Sequence, residues 1–127
     1  MSPRILIVDD EAPICELLCD IFTDEGYRVA TAGDGRSALV ALADDGFDIV
    51  LSDIMLPRVD GRELANAMHN SPSLNTIPVV LMSAAEGLPA RGVPHAAFIR
   101  KPFDLYTLLN TVERVLGEGE RANTLPS

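Results

Sequence analysis

Residues 3–13 read PRILIVDDEAP, a stretch in which apolar residues lead directly into acids. The apolar run covers residues 5–8, and three carboxylates follow it at Asp9, Asp10 and Glu11. A carboxylate is costly to remove from water unless it is paired or binds a cation. Two interpretations are therefore open. The acids begin a solvent-exposed helix, where negative charge favours the helix dipole, or they form a site for a hard metal ion.

Four more apolar runs predict strands, and helical patterns separate them. With the first run, the predicted strands cover residues 4–8, 27–31, 47–52, 77–82 and 96–100. Several are continuous apolar runs, which is typical of strands buried on both faces of a parallel sheet. Strands that alternate with helices predict right-handed crossover connections. The sequence therefore predicts an α/β fold with a doubly wound, five-stranded parallel sheet. We expect the order 2-1-3-4-5, one of the common orders of such sheets, in which the first and third strands are neighbours at the switch point.

The composition indicates a single globular domain. Of 127 residues, 47% are hydrophobic and 23% are charged, and no apolar run approaches the roughly 20 residues of a membrane span. Since the N-terminus lacks the features of a signal peptide, we expect a cytoplasmic location without membrane contact. The net charge of −9 argues against direct nucleic-acid binding by this domain. We expect the domain to cover residues 1–117. Residues 118–127 should form a flexible C-terminal tail, because they offer little to bury.

Polar side chains follow the ends of four predicted strands. Asp9 and Asp10 follow the first strand, Asp53 the third, Ser83 the fourth and Lys101 the fifth. In open α/β sheets, ligands bind beyond the carboxyl ends of the strands, where the strand order reverses. Each residue alone has an ordinary explanation as a helix-start acid, a turn residue or a loop hydroxyl. Their coincidence at one edge favours a site in which Mg²⁺ and an amine neutralise a phosphoryl group and a carboxylate attacks it.

Four motifs make the sequence resemble the receiver domain of bacterial two-component response regulators: ILIVDDE, DIVLSDIMLPRVDG, PVVLMSA and KPF. The resemblance extends from residue 4 to about residue 116. It implies a flavodoxin-like fold and a phosphorylation-controlled signalling switch. A sensor histidine kinase or histidine phosphotransfer protein would supply the phosphoryl group, and a downstream output protein or domain would receive the signal. The chain would not be an enzyme in the ordinary sense, because it would assist only its own phosphorylation and dephosphorylation.

The resemblance also implies a role for each matching residue. Asp53 is the expected phosphoacceptor, and Ser83 and Lys101 are expected to contact the phosphoryl group. Ser83 and Phe98 are the expected switch residues. A phenylalanine lacks the hydroxyl with which a tyrosine would form a hydrogen bond there. The peptide bond between Lys101 and Pro102 corresponds to one that is cis in the family.

The resemblance implies Mg²⁺ as the cofactor. The expected ligands are Asp10, Asp53 and the backbone carbonyl of Met55, and Asp9 is expected to act through water. Asp9 and Asp10 are then cation ligands. Of the two interpretations of the opening stretch, the resemblance therefore favours the metal site over a solvent-exposed helix start.

Two alternatives compete with this interpretation. A degenerate receiver would bind partners independently of phosphorylation, but all five positions of the site are filled here. A small aspartyl-phosphate hydrolase would also use Asp, Ser or Thr, Lys and Mg²⁺. Its nucleophile follows the first strand in a D-x-D arrangement. Here the acids after that strand are adjacent, and the lone aspartate follows the third strand.

The segment between Ser83 and Lys101 is shorter than in the usual receiver pattern. It has 17 residues, with glycine or proline at positions 87, 89, 92 and 94. An interior proline costs a helix roughly 3 kcal/mol and a glycine about 1 kcal/mol. We therefore expect the helix between the fourth and fifth strands to be absent or reduced to about one turn. A symmetric dimer through that helix, common in the family, would then be impaired.

A kinase-docking surface is predicted near the acidic edge, at Ile14, Cys15, Pro102 and Phe103. These residues are apolar or small, and the resemblance places a docking surface there. The alternative is that Ile14 and Phe103 simply belong to the core.

Overall fold

The computed structural model describes residues 2–44, 46–84 and 91–124, with side chains as far as residue 118. Along the chain the elements are β1 (Arg4–Val8), α1 (Ala12–Asp24), β2 (Arg28–Ala32), α2 (Gly35–Asp44), β3 (Ile49–Asp53), α3 (Gly61–His69), β4 (Val79–Ser83), β5 (Ala97–Arg100) and α4 (Leu105–Thr124). The five strands form one parallel sheet in the order β2-β1-β3-β4-β5. The predicted fold class and strand order are confirmed.

Two apolar clusters cover the two faces of the sheet. Successive side chains of a strand point to opposite faces. Leu6 and Val8 therefore lie with α2 and α3, whereas Ile5 and Ile7 lie with α1 and α4. All residues of β3 and β4 are buried. This burial on both faces explains why the central strands are continuous apolar runs.

The register of the sheet places the strand ends side by side. Asp53 in β3 pairs with Met82 in β4, and Ser83 pairs with Arg100 in β5. Asp53 and Ser83 are thus the last residues of their strands, whereas the sequence predicts strands that end one residue earlier. The strands are one residue longer because Asp53 and Ser83 each form one further pair with the neighbouring strand. The carboxyl ends of the strands therefore meet at one edge, which positions the residues that follow them.

The connection between β4 and β5 contains the segment that is predicted to lack a full helix. Ala84 and residues 91–96 are not helical, and residues 85–90 lie outside the described residues. Gly92 has a φ of +79°, a left-handed conformation that glycine adopts at little cost. A regular three-turn helix across this connection is excluded. The expected effect on dimer formation stays a prediction.

The last helix, α4, extends into the segment that is predicted to form a flexible tail. Its helical backbone continues to Thr124. A glycine costs a helix only about 1 kcal/mol. In addition, Nη1 of Arg114 lies 4.0 Å from Oε1 of Glu118 in an i, i+4 ion pair that spans Gly117. The domain boundary at residue 117 and the flexibility of residues 118–127 stay predictions. None of the described helices combines the length and apolar character that crossing a bilayer requires.

Asp104 caps the N-terminus of α4. Its carboxylate accepts hydrogen bonds from the backbone N–H of Thr107 at 2.7 Å and from the Thr107 hydroxyl at 2.9 Å. These hydrogen bonds favour the ionised form and lower the pKa of Asp104 below its usual 3.8. The cap therefore anchors the helix that begins shortly after Lys101.

Replacing Asp104 with alanine should lower the thermal midpoint at neutral pH, because the first turn of α4 loses an acceptor. Since the folded-state pKa lies below the unfolded value, the carboxylate stabilises the fold above pH 3.8. This stabilisation is lost as the pH falls through the folded-state pKa, so the gap between Asp104→Ala and the wild type should shrink there. Asp104→Asn keeps an acceptor and is the control. Thermal unfolding followed by circular dichroism at pH 7 and pH 3 measures the gap, and an equal gap at both would contradict the ionised cap.

Candidate functional site

A lysine lies between two carboxylates at the carboxyl ends of the strands. Lys101 follows β5, and its Nζ donates hydrogen bonds to Oδ2 of Asp9 at 2.9 Å and to Oδ2 of Asp53 at 3.0 Å. Asp9, which follows β1, is 1% exposed, and Asp53, which ends β3, is 6% exposed. Two carboxylates at this depth repel each other. The ammonium group between them offsets that repulsion.

The second oxygen of each buried carboxylate also has a partner. The backbone N–H of Glu11 donates to Oδ1 of Asp9 at 3.0 Å, and the backbone N–H of Met55 donates to Oδ1 of Asp53 at 3.2 Å. Within the described part of the chain, every buried side-chain nitrogen or oxygen has a hydrogen-bond partner. The loops after β1 and β3 therefore set the orientation of both carboxylates.

The pKa of Lys101 is raised above its usual 10.5. Burial is the largest single influence and acts in the opposite direction, because it disfavours the charged ammonium group. The hydrogen bonds to Asp9 and Asp53 and the charges of these two residues together outweigh burial. Lys101 therefore carries its positive charge at physiological pH.

Three carboxylates of this site fit a divalent cation. Asp9, Asp10 and Asp53 each place an oxygen within 4.8 Å of the others. Asp10 is exposed and, together with Met55, lines a pocket of about 330 Å³ at the end of β3. Three carboxylates and the ammonium of Lys101 leave a formal charge of −2. Because Mg²⁺ prefers hard oxygen ligands, this donor set suits it.

Ser83 and Phe98 lie on the two neighbouring strands. Ser83 ends β4 and is fully buried, and its backbone carbonyl accepts a hydrogen bond from the N–H of Lys101 at 2.9 Å. Phe98 lies within β5 and is 36% exposed. The structure thus places Ser83 beside Lys101 at the site, and Phe98 at a partly open position of the edge strand. Their roles as phosphoryl contact and switch stay predictions.

The residues of the predicted docking surface are only partly buried. Pro102 is exposed, and Ile14, Cys15 and Phe103 are half-buried. Ile14, Cys15 and Phe103 also pack against the apolar cluster that α1 and α4 share. The same side chains thus extend the core and reach the surface, so docking there stays a prediction. The peptide bond between Lys101 and Pro102 is cis, like the corresponding bond in the family, a point that the sequence alone leaves open.

Gly61 supports the site in a way that the sequence does not reveal. It begins α3, and a Cβ atom at this position would overlap the carbonyl oxygen of Asp53 and lie 2.7 Å from Cα of Ile54. The N–H of Gly61 donates to the carbonyl of Ile54 at 2.9 Å. The dipeptide Asp60-Gly61 signals a helix start, and Asp60 does cap α3. The close contact depends on the loop folding back onto β3, which no local pattern shows.

Residues 5–113 match the family described as response regulator receiver domain. The response regulator PleD of Caulobacter vibrioides is 42% identical over 108 residues, which cover 82% of this chain and 24% of PleD. The response regulator MprA of Mycolicibacterium vanbaalenii is 34% identical over 133 residues, which cover 96% of this chain and 57% of MprA. The chain therefore spans about a quarter of one relative and just over half of the other. Among solved structures, the signal receiver domain of a signal transduction histidine kinase from Syntrophus aciditrophicus has a TM-score of 0.90 at 28% identity, over 99% of this chain and 98% of that chain.

Replacing Gly61 with alanine should lower the free energy of unfolding by about 1–3 kcal/mol, because the new Cβ must displace the backbone of Asp53 and Ile54. Gly33→Ala is the matched control, since nothing lies within 4 Å of a Cβ at that position. Urea unfolding measures the free energy, and amide chemical shifts of β3 report the displacement. Equal stability of the two variants would contradict the close contact.

Proposed function

This chain belongs to the family of response regulator receiver domains, and from that membership we propose that Asp53 accepts a phosphoryl group in a Mg²⁺-dependent reaction. The family makes the chain a module of phosphorylation-controlled signalling. The donor is a sensor histidine kinase or a histidine phosphotransfer protein. The observation that carries the proposal is the contact of Lys101 with both Asp9 and Asp53 at the strand ends.

We assign the attack on the donor to Asp53, the residue that matches the family's phosphoacceptor, and we assign the exposed Asp10 to the cation. Asp53 ends β3, and its two oxygens are oriented by the backbone N–H of Met55 and by the ammonium of Lys101. Asp9 is less accessible, at 1% exposed against 6% for Asp53. In the transfer, an oxygen of Asp53 forms a bond to phosphorus while the phosphorus–nitrogen bond to the donor histidine breaks and the histidine leaves.

Lys101 supplies a positive charge both before and after the phosphoryl transfer. Before it, the ammonium neutralises Asp9 and Asp53. After it, the phosphoryl oxygens on Asp53 bring new negative charge within reach of the same group, which stabilises the developing charge. Its raised pKa keeps the group protonated throughout. We assign to Ser83, which is buried at the end of β4, the contact between its hydroxyl and a phosphoryl oxygen.

Mg²⁺ fits a ligand set made of Asp10, Asp53 and the backbone carbonyl of Met55. When bound, it neutralises charge on the transferring phosphoryl group. Asp10 is exposed, so its carboxylate can contact a cation directly. Asp9 is buried against Lys101, which supports a contact through water instead.

The alternatives are less well supported by the geometry. In a degenerate receiver, the acids, hydroxyl and amine would have no reason to converge, yet Asp9, Asp53, Ser83 and Lys101 lie at one edge. An aspartyl-phosphate hydrolase would use a nucleophile after β1 in a D-x-D arrangement, whereas the acids there, Asp9 and Asp10, are adjacent in the sequence. We therefore propose that the chain is not an enzyme with a separate substrate. Its catalytic groups assist the phosphorylation and dephosphorylation of Asp53 itself.

The partners follow from the same proposal. The kinase or phosphotransfer protein docks on Ile14, Cys15, Pro102 and Phe103, which are all at least partly exposed. A downstream output protein or domain receives the signal, in the cytoplasm. The net charge of −9 favours protein partners over nucleic acid for this domain.

Asp53→Asn should abolish phosphorylation by acetyl phosphate and Mg²⁺, because an amide cannot attack phosphorus. Intact-mass spectrometry measures the modification, which in the wild type should be acid-stable and removed by hydroxylamine. Asp20→Asn, an exposed position on α1, is the matched control and should be modified normally. Phosphorylation of Asp53→Asn to the wild-type extent would remove Asp53 from this role.

Asp10→Asn should weaken Mg²⁺ binding more than Asp9→Asn does, because a direct ligand contributes more than one that acts through water. Isothermal titration calorimetry measures both affinities. Glu11→Gln removes the third acid of the same stretch and should have the smallest effect. Identical losses for Asp9→Asn and Asp10→Asn would contradict the assignment of roles.

A further inference from the structure

An ion pair joins the loop after β3 to the start of α2. Nη1 of Arg58 lies 2.6 Å from Oδ2 of Asp34, and the Arg58 side chain is 68% exposed whereas that of Asp34 is 10% exposed. Oδ1 of the same carboxylate accepts a hydrogen bond from the N–H of Ser37 at 2.7 Å and so caps α2. One carboxylate therefore ties the loop to the start of the helix.

A backbone contact lies beside this ion pair. The N–H of Gly35 donates to the carbonyl oxygen of Val59 at 3.1 Å. A Cβ atom on Gly35 would lie 2.9 Å from the carbonyl carbon of Val59, so only glycine permits this approach. We call the four residues Asp34, Gly35, Arg58 and Val59 the loop clamp. The loop clamp holds the loop against α2.

The clamped loop, residues 54–60, begins and ends at the site. It follows Asp53, contains Met55, and is closed at its base by the hydrogen bond that Gly61 donates. Arg58 has a φ of +64°, a left-handed conformation that arginine rarely adopts. Such a conformation persists where surrounding contacts hold it. At this residue, the ion pair of the loop clamp is such a contact.

We propose that Asp34 and Arg58 are positioning residues for the metal site, holding the loop so that the Met55 carbonyl and the Asp53 carboxylate are in place before a cation binds. The inference rests on the proposed function, since it assigns both residues a part in Mg²⁺ binding. Neither residue belongs to the expected ligand set. Ligands that are already positioned lose less conformational freedom on binding, so the loop clamp raises the affinity.

Electrostatic effects alone predict different changes in Mg²⁺ affinity when Asp34 and Arg58 are replaced. Removing the positive charge of Arg58 would strengthen cation binding by Coulomb attraction, whereas losing the loop clamp weakens it. Removing the charge of Asp34 weakens binding on either account. When both charges are removed, electrostatics predicts an affinity near that of the wild type, but loss of the loop clamp predicts the affinity of either single variant. Two results therefore separate electrostatics from loss of the loop clamp. One is whether Mg²⁺ affinity rises or falls when Arg58 is replaced, and the other is the affinity of the double variant.

The test measures Mg²⁺ affinity by isothermal titration calorimetry in Arg58→Asn, Asp34→Asn and the double variant. Asparagine suits both positions, because it tolerates the left-handed conformation and is a good helix cap. Each of the three variants should bind Mg²⁺ about tenfold more weakly than the wild type. Arg62→Gln is the matched control. It removes a positive charge from the start of α3 outside the loop clamp, and should leave the affinity unchanged or raise it.

Amide hydrogen exchange of the metal-free protein gives a readout that needs no cation. In all three variants the N–H groups of Met55 and Gly61 should exchange faster, because the loop that contains or borders them is no longer held. Exchange in the central strands and the thermal midpoint should stay close to those of the wild type. A merely structural role would instead speed exchange throughout the sheet.

Unchanged or tighter Mg²⁺ binding by Arg58→Asn would overturn the inference, as would a double variant that binds like the wild type. Faster exchange throughout the sheet, with a large fall in the thermal midpoint, would also overturn it. If the wild type itself binds no Mg²⁺, the metal part of the proposed function fails and the inference falls with it. Normal binding by the wild type together with unaffected variants would overturn the inference alone.

Discussion

The ammonium group of Lys101 between the carboxylates of Asp9 and Asp53 is the contact on which the site depends. Carboxylates that are 1% and 6% exposed are stable side by side only with a cation near both. The sheet supplies the geometry, because β1 and β3 are neighbours and Lys101 follows β5, on the far side of β4. One lysine therefore joins three strand ends. It leaves enough negative charge for a divalent cation to be attracted as well.

Close backbone approaches hold the loop that completes this site. Gly61 packs against the backbone of Asp53 at the base of the loop, and Gly35 packs against Val59 farther along it. Neither position has room for a Cβ atom. The loop is thereby held by β3 at its base and by α2 at Val59, near its C-terminal end, while Met55 stays 67% exposed. A site formed in this way combines a fixed backbone with an opening through which a phosphoryl donor can approach.

Much of the fold and most of the site could be predicted from the sequence, because they follow from local patterns and one topological rule. Apolar runs locate the strands, and their alternation with helices predicts a doubly wound parallel sheet, whose order follows from the flavodoxin-like fold that the resemblance implies. The position of a residue just after a strand then places it at the carboxyl edge, which is how Asp9, Asp53 and Lys101 are found. The prolines and glycines before β5 predict that no full helix forms there, and Ala84 and residues 91–96, the described part of that connection, are not helical. The helical backbone of α4 continues past Gly117 to Thr124, because a glycine in a helix is a modest cost rather than a stop.

The sequence by itself thus determined the α/β class, the strand order and the residues that meet at the edge of the sheet. Only the tertiary structure decided that Lys101 contacts both carboxylates, across 92 positions to Asp9 and 48 to Asp53. It alone decided that Arg58 reaches Asp34, 24 positions away. The physical reason is that strand positions follow from local hydrophobic periodicity, whereas the partner of a charged side chain depends on how loops from distant parts of the chain approach one another.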